Sequence, residues 1–230
     1  MWRSGGFLYP GTTIDEAPTF TLYGDGRVIY TAEQPLPSGA VARELRQAQL
    51  NEEQVGALLE YALGPGGLAL ARDRYADVPM ADGTTTNFEI NAGGLHKMVA
   101  VYALGEFDEP GPDGDARNAF EALAAALRDF GGEVAAGNAA DLGMFAPEAY
   151  RVIIFPDAGE LPAAGEWPWP DLDPSDFARD NSGFGRLVMT AAQAEVVASL
   201  PVGDIGDPVV IGPDGVTYLI RTRPLLPDET

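Results

Sequence analysis

The stretch from Thr19 to Leu63 constrains this chain more than any other, because it spells out strand, tight turn, strand and capped helix in one run. Phe20 and Leu22 share one face of a first strand, and Val28 and Tyr30 share one face of a second. Between them Gly24-Asp25-Gly26 supplies residues that tolerate positive φ, which short hairpin loops require. Glu33 to Arg46, with Pro35, Pro37, Ser38 and Gly39, reads as a loop or linker. Asn51-Glu52-Glu53-Gln54 then makes a capping box, with Leu50 and Val55 placed as a hydrophobic staple. Val55, Leu58, Leu59 and Ala62 form one helical stripe, and Gly64-Pro65-Gly66 stops the helix.

A second hairpin follows from Thr84–Ile90 and His96–Ala103 about Ala92-Gly93-Gly94. A second helix begins near Asp115, with Phe120, Leu123, Leu127 and Phe130 at helical spacing and Gly131-Gly132 at its end. Residues 19–131 therefore read as ββα-ββα, an α+β domain in which an antiparallel sheet carries both helices on one face. Residues 1–18 read as an irregular lead-in and Ala/Gly-rich residues 132–148 as a linker. Residues 149–230 read as a smaller β-α-ββ domain or subdomain. Its parts are the strand Tyr150–Phe155, a capped helix after Thr190, and a hairpin flanking Gly212-Pro213-Asp214-Gly215. Its cap and turn echo those of the first half, as shared architecture rather than shared ancestry would. The long Pro/Gly/Asp stretch from Pro156 to Gly185 reads as a functional or disordered loop.

Charge limits the partners. Thirty-five acidic against fourteen basic residues give a net charge of −21, which repels phosphate backbones and anionic lipids and argues against nucleic acid as a ligand. No apolar run reaches the ~20 residues of a membrane helix. The absence of cysteine removes disulfides, thiolate nucleophiles and cysteine metal sites.

The runs Thr21-Leu22-Tyr23-Gly24-Asp25-Gly26-Arg27-Val28-Ile29, Val101-Tyr102-Ala103-Leu104-Gly105 and Arg223-Pro224-Leu225-Leu226-Pro227-Asp228-Glu229 together resemble a group of exported or lipoprotein-type proteins of GC-rich, chiefly actinobacterial, bacteria. No activity is attached to that group, so no functional residue carries over. The resemblance implies a location outside the cytoplasm, with the export signal absent from this sequence.

Catalytic chemistry finds little purchase. His96 is the only histidine, no serine sits in a Gly-x-Ser-x-Gly elbow, and Ser182 is a loop serine. No Walker or Gly-x-Gly-x-x-Gly run exists. A carboxylate-dependent hydrolase is the alternative, and it needs two acids roughly 5–10 Å apart flanking a cleft. The acidic runs 108–115 and 171–176 gather oxygen ligands, yet neither has the EF-hand register, and both read as solvated loops. Trp167-Pro168-Trp169-Pro170, beside Asp171 and Asp173, offers two readings: a lid folded over a sheet, or a surface presenting two indoles to a protein or sugar. Trp167, Trp169, Asp171 and Asp173 are accordingly the candidate binding residues. The sequence points to a non-catalytic binding or structural domain without metal or cofactor.

Overall fold

Gly26 sets the first hairpin. It adopts φ +83° and donates its amide to the Tyr23 carbonyl at 3.0 Å, so the turn reverses the chain within four residues. The structure, a computed structural model, describes residues 1–5, 16–35, 41–106, 113–156, 163, 165–179, 183–202 and 207–229. Around that turn β2 (Phe20–Leu22) pairs with β3 (Arg27–Pro35) in the register Phe20↔Tyr30 and Leu22↔Val28, as the alternation requires. The chain divides into two units, residues 1–145 and 146–230.

In the first unit β3 pairs along its whole length with β4 (Val41–Gln49). The expected loop over residues 33–46 is thus largely strand. Its alternation is hidden because the exposed positions are charged and matched across strands, as Arg43 is with Glu33 at 3.2 Å. The helix α1 (Glu52–Leu63) starts at the expected capping box, with Asn51 Oδ1 accepting from the Gln54 amide at 2.9 Å and Gln54 Oε1 from the Asn51 amide at 2.8 Å. A 3₁₀ turn at Leu68–Leu70 and the two-residue strand β5 (Arg74–Tyr75) follow.

The second hairpin joins β6 (Thr84–Ala92) to β7 (Leu95–Tyr102) through Gly93 and Gly94, both at positive φ. The lead-in contains a strand of its own, β1 (Trp2–Gly5), paired antiparallel with β6. The helix α2 (Gly114–Arg128) passes directly into α3 (Phe130–Ala135), which contains Gly131-Gly132. The chain then forms β8 (Ala140–Met144) where a linker was expected.

The fold is α+β and mainly antiparallel. Its hairpins, however, lie in two four-stranded sheets, β1-β6-β7-β5 and β2-β3-β4-β8, rather than in one. One core serves both. Phe88, Val99 and Val101 of the first sheet and Val28, Tyr30 and Ala48 of the second belong to a single buried cluster with Ala62, Phe120, Leu123, Leu127 and Phe130 of the helices. Aromatic contacts make the join. Phe120 meets Tyr75 edge-on at 4.9 Å, while Phe130 meets Phe20 and Tyr30 at 5.1 and 5.3 Å.

The second unit has its own core. Its strands are β9 (Ala149–Pro156), β10 (Gly165–Glu166), β11 (Ala178–Arg179), β12 (Gly185–Thr190), β13 (Val209–Ile211) and β14 (Thr217–Pro224). They form one sheet in the order β10-β13-β14-β9-β12-β11. The helix α4 (Ala191–Ala198) begins at a second capping box, Thr190 with Gln193, and packs on the face that carries Val152, Ile154, Met189 and Ile220. The closing residues are fixed by Arg223, whose guanidinium makes two bonds to Glu229, at 2.9 and 2.8 Å. Among the described residues no helix is long and apolar enough to cross a membrane.

Replacing Gly26 by alanine places a Cβ 2.3 Å from the Leu50 carbonyl oxygen in a left-handed backbone. Denaturant unfolding of Gly26→Ala should therefore show a loss of more than about 1 kcal/mol, and an unchanged midpoint would contradict this account of the turn.

Candidate functional site

Proline fixes φ and cannot donate to a ladder, so Trp167-Pro168-Trp169-Pro170 runs extended across a surface instead of joining a central strand. It enters from β10 at one edge of the second sheet and leaves through β11 at the opposite edge. The segment between them lays Trp167, Trp169, Leu172 and Phe177 on the same face as Val152, Ile154, Val210 and Ile220. The Trp167 ring stands edge-on to Trp169, Phe177 and Tyr218, with centroids 5.2, 5.8 and 5.6 Å away. Both indole nitrogens are satisfied internally: Trp167 Nε1 donates to the Leu172 carbonyl at 2.8 Å, and Trp169 Nε1 to the Gln193 carbonyl at 2.9 Å.

The segment lies folded over the sheet, with Trp169 buried and Trp167 half-buried. Trp169 is only 5% exposed, and a side chain with its polar atom spent and its faces packed is part of a core. Asp173 is likewise occupied. It caps a 3₁₀ turn at Pro174–Asp176, accepting from the Ser175 amide at 3.0 Å and hydroxyl at 2.8 Å. Those bonds, the amide's first, hold its carboxyl below the usual range. Asp171 alone of the four is exposed with no such task. Among the described residues no group of three histidines or acids could hold a metal ion. Of the acidic run 108–115 only 113–115 are described, and there Asp113 pairs with Arg72 at 2.5 Å. Ser182 lies outside the described residues, and His96 is exposed on β7 with its Nε2 3.1 Å from Glu89.

A different surface combines recognition chemistry with a concavity. In the first sheet of the first unit, residues alternate between the core face and the opposite face. Thr86, Phe88, Val99, Val101 and Tyr75 point to the core. By register Arg74 of β5, Ala100 and Tyr102 of β7, Thr85 and Asn87 of β6, and Trp2 and Ser4 of β1 share the other face. There Arg74, Thr85, Ala100 and Tyr102, together with part of the core-facing Tyr75, line a shallow depression of about 200 Å³, below the roughly 300–1,000 Å³ of pockets for whole small molecules. It suits one side chain or one ring of a longer ligand.

The walls are held rigidly. The Tyr102 hydroxyl donates to the Met80 carbonyl at 3.1 Å and accepts from the Gly83 amide at 2.8 Å. Arg117 reaches the Tyr102 and Ala103 carbonyls at 2.8 and 3.0 Å. Beside the depression the buried Asn87 amide donates to Ser4 Oγ at 3.1 Å. Arg74 is the exception. It is exposed and has no carboxylate or hydrogen-bond partner among the described residues, whereas neighbouring Arg72 is ion-paired. An unpaired guanidinium in a chain of this charge is a ready donor to a carboxylate or a cluster of hydroxyls.

Among the described residues no carboxylate lines the depression. Two acids elsewhere, Glu106 and Asp141, are held below the usual carboxylate range. Glu106 is pushed upward by burial, but bonds from Thr84 and the charge and hydrogen bond of Arg3 outweigh this and leave it lowered. Asp141 is lowered by the Gly143 amide and by Arg46. An acid catalyst needs the opposite shift. Sequence reasoning missed this face because β5 is two residues long and defined only by its parallel partner. No family model, curated protein or solved structure matches the chain.

If the indoles are core, Trp169→Ala should destabilise the second unit by about 3–5 kcal/mol, whereas Asp171→Ala should stay within about 0.5 kcal/mol. Urea titrations of both variants followed by near-UV circular dichroism decide it; a Trp169→Ala protein as stable as the parent would return the indoles to the surface.

Proposed function

We propose that this protein is a non-catalytic binding module, acting outside the cytoplasm at the cell envelope, that engages a protein or carbohydrate partner through the open face of its first sheet. The observation that carries the reading is Arg74, an exposed and unpartnered guanidinium at the rim of a rigid depression formed by Tyr102, Thr85 and Ala100. A preformed wall lowers the ordering cost of binding. The hydroxyls of Ser4 and Thr85, beside Trp2, extend the surface along β6 and β1. The extracytoplasmic location rests on the sequence resemblance.

The hydrolase alternative has less support. It requires two facing acids, one with a raised pKa, and the carboxylates whose pKa is displaced are lowered.

Peptide and glycan arrays probed with the labelled full chain test the proposal. Arg74→Ala should abolish the retained signals while leaving the melting temperature unchanged, since the residue is exposed and unbonded. Signals that persist in Arg74→Ala, or that follow Asp171 instead, would overturn the choice of site.

A further inference from the structure

The strand β8 closes one side of the sheet β2-β3-β4-β8 and bonds no further strand among the described residues. A free edge is a template for another extended chain, and proteins ordinarily blunt it with charge, bulges or cover. This edge is only partly blunted. The register shifts at Gln47/Ala48 so that Leu142 has no opposite residue, and Gly143 at φ +87° completes the irregularity, with its amide bonded to Asp141 Oδ1 at 2.9 Å. The bulge turns apolar groups outward rather than hiding them. Leu142 is 50% and Met144 68% exposed.

The surroundings are acidic. Asp141 lies within the strand, and Glu133 accepts from Asn138 at 2.7 Å just before it. Gln54 bonds the Asn138 carbonyl at 2.6 Å, bringing the first turn of α1, with Glu52 and Glu53, to the start of β8. Beside the strand, Arg46 is shared between Glu44 and Asp141. A second copy of the chain would meet this edge with the same carboxylates and a net charge of −21, so self-pairing is opposed by repulsion. The same charges attract a cationic strand.

We propose that the free edge of β8 takes up an extended segment of a partner protein in which apolar residues alternate with lysine or arginine. The backbone of the segment continues the ladder, its apolar side chains cover Leu142 and Met144, and its cations face the carboxylates. This surface is separate from the Arg74 face, so either can fail without the other.

The test uses the full chain and three short fluorescent peptides in anisotropy titrations. One alternates valine and lysine, one alternates valine and glutamate, and one keeps the lysines but replaces every valine with proline, which cannot extend a ladder. The Val-Lys peptide should bind. Its affinity should fall at least tenfold in Leu142→Lys and in Met144→Lys, variants whose exposed positions leave the melt unchanged. Added amide protection in hydrogen exchange should be confined to residues 140–144. Equal binding of the proline peptide would mean charge attraction alone, and would overturn the proposal. So would binding of the glutamate peptide, indifference to both variants, or self-association of the free chain through this edge.

Discussion

The first unit depends on two aromatic rings carried by one helical segment. Phe120 on α2 packs against Tyr75 and Phe88 of one sheet, and Phe130 on α3 packs against Phe20 and Tyr30 of the other. These contacts tie the two sheets into one core together with Leu123 and Leu127. The helical segment breaks between α2 and α3 at Asp129, with Phe120 on one side of the break and Phe130 on the other.

That join reaches the surface. With the core faces of β6 and β7 pinned by Phe120, the opposite residues Thr85, Ala100 and Tyr102 are held where they line the depression beside Arg74. On the second sheet β8 is the last strand among the described residues. Both proposed surfaces therefore follow from how two sheets share one core. The second unit solves burial differently, laying a proline-stiffened aromatic strap over a single sheet beside α4.

Elements with local chemistry were legible in the sequence. The capping boxes at Asn51 and Thr190, the glycine turns at 24–26 and 93–94, and the strand at 150–155 each carry their signal within a few residues. Elements defined by a distant partner were not. β4 hides behind matched charges such as Arg43 with Glu33, and β1 and β5 are short strands that exist because β6 and β7 lie beside them. Periodicity says which face of a hairpin is apolar, not which sheet it joins, so one sheet was expected where there are two. The Trp167/Trp169 segment was ambiguous for a related reason: tryptophan is equally apt for a lid or a contact surface, and the bonds to Leu172 and Gln193 lie far enough along the chain that no local pattern shows them. Arg74 became visible through what it lacks, which no sequence pattern encodes.

Amide hydrogen exchange on Phe130→Ala tests the shared core most directly. Phe130 touches the β2-β3 side, yet if one core serves both sheets, protection should fall together in β3 and in β6 and β7, where Phe130 makes no ring contact. Loss confined to β2, β3 and β4, with β6 and β7 as protected as in the parent, would show that the sheets are stable separately and that the face beside Arg74 owes nothing to the join.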